Sequence, residues 1–107
     1  MGYALIEKRK PIRSKKILAA ANGEACTLCG CENDGTVVFC HLNVLWAGKG
    51  LRQKADDIAG FFGCYECHEA YDRMEDAKCG YADWEIMRAM YRTWRRLWER
   101  GIIGELK

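Results

Sequence analysis

The chain has 107 residues, half of them hydrophobic, and a formal net charge of +2. That length suits one domain and is short for two, and so small a core gains from a staple. No stretch approaches the length of a membrane-spanning helix, and the N-terminal MGYALIEKRKPIRSKK has neither the apolar run nor the cleavage site of an export signal.

Residues 1–13 read as an extended basic arm, with Pro11 set against helix. Ser14 can cap a short helix, SKKILAAANG, which Asn22-Gly23 ends. A first cysteine cluster follows, Cys26-Thr-Leu-Cys29-Gly-Cys31, and then a turn signal at Asn33-Asp34-Gly35. Residues 36–46, TVVFCHLNVLW, are β-branched and aromatic and predict a strand or a bent strand pair. AGKGLRQKADD, 47–57, predicts a glycine-bounded polar loop. The apolar run Ile58 to Gly63 leads into a second cluster and a helix from about Cys64. A longer helix is expected over about 81–100. In it Trp84, Met87, Tyr91, Trp94 and Trp98 recur at spacings of 3-4-3-4, which predicts the face that packs onto the domain or, as the lesser reading, a homodimer seam.

Charge is uneven along the chain. Lys8, Arg9, Lys10, Arg13, Lys15 and Lys16 crowd residues 7–16, and Arg92, Arg95, Arg96 and Arg100 crowd the C-terminal helix. Basic ends suit a polyanion such as nucleic acid; a solvated tail and helix face read equally well.

Seven cysteines without an export signal are expected to be reduced, cytoplasmic, and metal-bound where they pair. Cys26-x-x-Cys29 and Cys64-x-x-Cys67 form two knuckles, and four thiolates at this spacing suit tetrahedral zinc. Cys31 can replace Cys29 in that set. Cys40 and Cys79 stand alone and are expected to be small buried apolar residues. Cys64-Tyr-Glu-Cys67-His68 also matches c-type haem attachment and a redox dithiol. Haem would need export, the dithiol would need a βαβ setting, and neither accounts for the first pair. Zinc accounts for both pairs and leaves His68 free.

On a helix starting near Cys64, His68 and Asp72 share a face at i and i+4, about 100° from Cys67. An imidazole and a carboxylate so placed make half of a divalent-metal site; a solvent-exposed pair is the plainer reading. The other histidine, His41, lies in the apolar strand. A strand histidine is usually structural, but an imidazole can exchange a proton near neutral pH and so serve as a general base.

These residues carry a resemblance. VVFCHLN, then KADDIAGFFGCYECHEAYDRM, and more weakly the basic helix ending in glycine before Cys26, resemble the HNH (His-Me finger, ββα-metal) endonucleases. Within them, the chain is similar to the YbcO-like family of putative prophage nucleases. The resemblance covers roughly residues 13–75. It implies an α+β fold: a small zinc-stapled ββα-metal, treble-clef-like domain over 14–107, with a short N-terminal helix and a long C-terminal one. It implies a metal-dependent endonuclease, in the cytoplasm of a bacterial host, that hydrolyses DNA phosphodiester bonds. His41 would activate water. His68 and Asp72 would hold a divalent cation (magnesium, manganese, nickel or zinc). Cys26, Cys29, Cys64 and Cys67 would hold the structural zinc. Where the family often places a metal-binding residue before the base, this chain has Cys40. The middle asparagine of the motif has two candidate counterparts, Asp57 and Asn43. Lys49, Arg52 and Lys54 are candidate backbone contacts to DNA. Two readings stand beside the nuclease: a non-catalytic zinc module that binds nucleic acid or protein, and an interaction subunit that uses the tryptophan-rich helix.

Overall fold

The computed structural model describes residues 10–32, 35–43, 47–49, 53–73 and 83–104. The described elements are α1 (Lys15–Ala19), β1 (Val38–His41), β2 (Gly60–Gly63), α2 (Tyr65–Arg73) and α3 (Asp83–Glu99). Together they make a small α+β unit with one two-stranded sheet and three helices.

Local sequence explains the helix ends. Ser14 caps α1, its hydroxyl accepting from the Ile17 amide at 3.2 Å. The Thr36 hydroxyl accepts the Tyr65 amide at 2.9 Å at the start of α2. α3 stops at Gly101, whose φ of 72° is open to glycine. There the Ile102 amide reaches Leu97 O at 2.9 Å and the Gly101 amide reaches Trp98 O at 3.0 Å, which satisfies two otherwise orphaned carbonyls.

The sheet corrects the reading of residues 36–63. Strand structure among the described residues of 36–46 is confined to Val38–His41, and residues 44–46 lie outside the described set. The strand's partner is Gly60–Gly63, antiparallel, with His41 opposite Gly60 and Val38 opposite Gly63. Side chains alternate across this pair. Phe61 turns toward α2, its ring edge-on to Tyr71 at 5.6 Å, and Phe62 turns toward Phe39 at 6.4 Å. Both are fully buried. Each contributes about 1.5–3 kcal/mol by area removed from water.

α3 packs on β2, α1 packs on β1, and α2 touches both strands. The inward residues of α3 are Ala89, Thr93 and Leu97, with Ile86 and Met90 partly covered. The 3-4-3-4 stripe that was expected to face the domain faces out instead. Small residues let α3 come close to the sheet, and Thr93 does so with a hydrogen-bonding hydroxyl.

Polar contacts fix these layers. Thr93 Oγ1 accepts the Phe62 amide at 3.1 Å and lies 2.9 Å from Thr27 Oγ1, which donates to Phe62 O at 3.0 Å. Arg96 grips Glu24 through Nε and Nη2, each at 2.9 Å, and Arg100 adds a third contact at 2.9 Å. The Arg96 hydrogen bond leads the interactions that hold the Glu24 carboxyl below its ordinary value, against the effect of burial.

Candidate functional site

The two cysteine knuckles meet at the junction of the sheet, α2 and the Cys26 turn. The first knuckle closes through Gly30, at φ 84°, whose amide donates to Cys26 O at 3.0 Å. The Cys29 amide points at Cys26 Sγ at 3.4 Å. Thr27, between the knuckle cysteines, joins it to β2 through its amide on Phe62 O at 2.8 Å. The second knuckle comes from Cys64, just before α2, and Cys67 in its first turn. The sulfurs of Cys26, Cys29, Cys64 and Cys67 all lie within 4.8 Å of one another. A tetrahedral zinc with bonds of about 2.3 Å sets its sulfurs about 3.8 Å apart. The Cys29–Cys64 separation is 3.9 Å, so the donor set fits a metal ion such as zinc. A hydrogen bond from Cys67, with backbone amides of Cys29, Cys64 and Leu28, outweighs burial and holds the Cys26 thiol down to about 4. That environment favours the thiolate a metal needs. Cys31 is exposed beside this cluster; contact with Cys29, then some desolvation and contact with Cys64, push its thiol up to about 12. The four sulfurs that lie within 4.8 Å of one another include that of Cys29 and not that of Cys31.

His41 closes β1. Its ring stands edge-on to Phe39 at 5.0 Å, and its Nε2 lies 2.8 Å from Asp57 Oδ1. Asp57 is 1% exposed. Its other oxygen, Oδ2, accepts the Ser14 amide at 2.7 Å, and Arg13 Nη1 lies 3.6 Å from Oδ1. Burial alone would push this carboxyl up. The His41 hydrogen bond, the Ser14 amide and the nearby charges of His41 and Arg13 more than offset burial and hold it below the ordinary aspartate value. The chain around Asp57 is pinned in turn: its amide donates to Ile12 O at 2.8 Å, and Arg13 donates to Ala55 O at 2.9 Å and Lys54 O at 3.1 Å. Part of the segment read as a polar loop is therefore buried, at Ala47 and residues 55–57.

His68 and Asp72 meet on the outer face of α2, Nε2 to Oδ2 at 3.1 Å, with both side chains more than a third exposed. Among the described residues, no hydrogen bond joins this pair to His41. α2, which carries the pair, contacts β1, the strand that ends at His41. Cys40 is fully buried and faces the α2 side of the sheet. Burial, then the charge of Asp72, pushes its thiol far up. The Asn43 amide donates to Tyr71 Oη at 3.1 Å, which ties the end of β1 to the second turn of α2.

Asp57, not Asn43, is thus the residue that meets His41. Cys40 is the small buried residue expected. Lys49 is half-buried and Lys54 exposed, while Arg52 and Cys79 lie outside the described residues. The Ser14 and Arg13 contacts to Asp57 left no mark in the sequence, because they join positions more than 40 residues apart. Tyr71 offered a fainter signal, falling on the α2 face toward the sheet.

The family model for putative nuclease YbcO matches residues 15–102. The chain belongs to the YbcO family. No curated protein and no solved structure matches it. Membership of the YbcO family is consistent with a hydrolase acting on nucleic acid, and the four-cysteine cluster could hold a metal ion such as zinc. Among the described residues, no helix is long and apolar enough to cross a membrane.

Proposed function

We propose that this YbcO protein is a metal-dependent endonuclease of the HNH type. In this reading it has the ββα-metal, treble-clef-like architecture, is encoded by a phage or prophage, and acts on DNA in the cytoplasm of the bacterial host. The observation that carries the reading is the His41–Asp57 pair. An ionised Asp57 can only accept, so His41 donates to it through Nε2–H and Nδ1 is the ring nitrogen placed to act as the base. His41 Nδ1 takes the proton of a water aimed at phosphorus. The water oxygen bonds to phosphorus as the P–O3′ bond breaks, giving a 5′-phosphate and, after protonation from solvent, a 3′-hydroxyl.

His68 and Asp72 converge on one point and present a borderline nitrogen and a hard oxygen, a donor pair that fits a divalent cation. A cation bound there would supply charge neutralisation for the scissile phosphate. The scissile phosphate would lie across the end of β1, between His41 and the His68–Asp72 pair. Cys26, Cys29, Cys64 and Cys67 serve the fold, holding β2 and α2 to the Cys26 turn so that both groups keep register. Lys49, Arg52 and Lys54 would hold the DNA backbone.

The cation is the part most open to test. Metal-stripped protein that retains its four-cysteine ion is titrated with magnesium, manganese or nickel on supercoiled plasmid. The reading expects cation-dependent nicking, with His68→Ala and Asp72→Ala each needing at least tenfold more cation. Cation-independent nicking, or unchanged titrations in both variants, would refute the assigned site.

A further inference from the structure

α3 carries two apolar faces, and the fold uses one. Ala89, Thr93 and Leu97 are buried on the domain. Trp84, Met87, Tyr91, Trp94 and Trp98 lie about 140° away around the helix and are 42–67% exposed. Their exposed surface is on the order of 600 Å² per chain. Exposed Ile58 extends it, since Trp94 Nε1 donates to Ile58 O at 3.0 Å. A patch of this size is at the top of the range for a monomer and close to the roughly 800 Å² that each partner gives a standard interface.

The rings are already held. The Arg88 guanidinium sits 4.8 Å from the Trp84 ring centroid, Trp94 is fixed by its hydrogen bond, and Gly104 packs so closely on Trp98 that a Cβ there would collide with the indole. Aromatic anchors held before contact lose little entropy on binding.

We infer that this face is a parallel, two-fold seam between two copies of the chain. The 3-4-3-4 spacing supplies alternating positions along one helix stripe, as a short helix pair requires. Charge sets the direction. Asp83 flanks the stripe on one side, and Arg88 and Arg95 flank it on the other. Parallel packing brings Asp83 of each copy to Arg88 of the second. Antiparallel packing brings Arg88 against Arg95. The same arginines argue against a nucleic-acid occupant. Arg95 is paired with Glu99 at 3.1 Å, Arg96 and Arg100 are paired with Glu24 at 2.9 Å, and Arg88 is stacked on Trp84. Among the described residues, no open row of positive charge lines the stripe for a phosphate chain.

Sedimentation equilibrium of the full, metal-loaded chain from 1 to 100 µM tests this without reference to nuclease activity. The expected result is a shift from one chain to two across that range. Met87→Glu, at a two-thirds exposed position, should raise the dimer Kd at least tenfold while bound metal and helical circular dichroism stay unchanged. Arg88→Glu should weaken the dimer, and adding Asp83→Lys should restore it, because only parallel packing pairs these positions. A single-chain mass up to 100 µM overturns the seam. So does a dimer indifferent to Met87→Glu, or a monomer whose tryptophans respond only to added oligonucleotide. Failure of the double variant to restore association overturns the parallel register.

Discussion

Asp57→Asn separates the structural and chemical roles of the carboxylate beside His41. The Ser14 amide, 2.7 Å from Oδ2, can only donate, so the asparagine must turn its carbonyl oxygen to Ser14. Its NH2 then occupies the Oδ1 position, 2.8 Å from His41 Nε2. An amide nitrogen there donates, which makes Nε2 the acceptor and moves the ring proton to Nδ1. That tautomer cannot take a proton from water. Where the same exchange forces the wrong tautomer on a catalytic imidazole, kcat falls about 10⁴-fold. The structural cost is smaller. Shape is kept and the Ser14 contact survives, so about 1–3 kcal/mol is lost from a domain expected to have about 5–15. Asp57→Ala, by contrast, leaves the half-buried Ser14 amide without its acceptor and removes the partner of His41 and Arg13, at about 3–5 kcal/mol. The assay is single-turnover plasmid nicking, with metal content and a thermal melt on the same samples. Folded Asp57→Asn that nicks within tenfold of the parent rate would show that Nδ1 of His41 is not the proton acceptor.

Three further predictions rest on the fold. Thr93→Val keeps the volume but leaves the buried Phe62 amide without its 3.1 Å acceptor, and it should cost about 1–3 kcal/mol in a denaturant melt; a neutral result would mean that another group takes the amide. Once loosely held cation is removed, one metal ion per chain is expected by native mass spectrometry, unaffected by Cys31→Ser and lost with unfolding in Cys67→Ala; retention in Cys67→Ala would displace the assigned cluster. Glu24, held below its ordinary pKa chiefly by the Arg96 hydrogen bond, gives stability that is present above the unfolded value and lost as pH falls through the folded one. The gap in stability between the parent and Glu24→Gln should therefore be full near neutral pH and close below about pH 4; a gap constant down to pH 3 would contradict the clamp.

What the sequence revealed follows from the range of the interactions involved. Local signals served well: Ser14 as a cap, Gly30 in the knuckle, Cys64 and Cys67 opening α2, and His68 with Asp72 on one helical face. Each depends on neighbours within a turn. β2 was not legible as a strand because Gly-Phe-Phe-Gly lacks β-branched residues and its glycines weaken the pattern. Those glycines answer to the partner strand. A Cβ on Gly63 would lie 2.6 Å from Cys40 Sγ, and one on Gly60 would strike Cys40 O. The inward face of α3 was misread because periodicity weights large side chains, while the sheet contact uses Ala89, Thr93 and Leu97. Asp57 was visible only as one of two counterparts to a motif asparagine. Its contacts to His41 and Ser14 span 16 and 43 residues, beyond the reach of any spacing rule.

The most direct test of the nuclease itself is plasmid nicking by His41→Ala beside the parent protein, with divalent cation present and both samples shown to retain metal and fold. The account predicts nicking by the parent, producing 3′-hydroxyl and 5′-phosphate ends, and a loss of at least 10²-fold in the variant. Equal nicking by folded His41→Ala, or none by the parent with any cation, would contradict it.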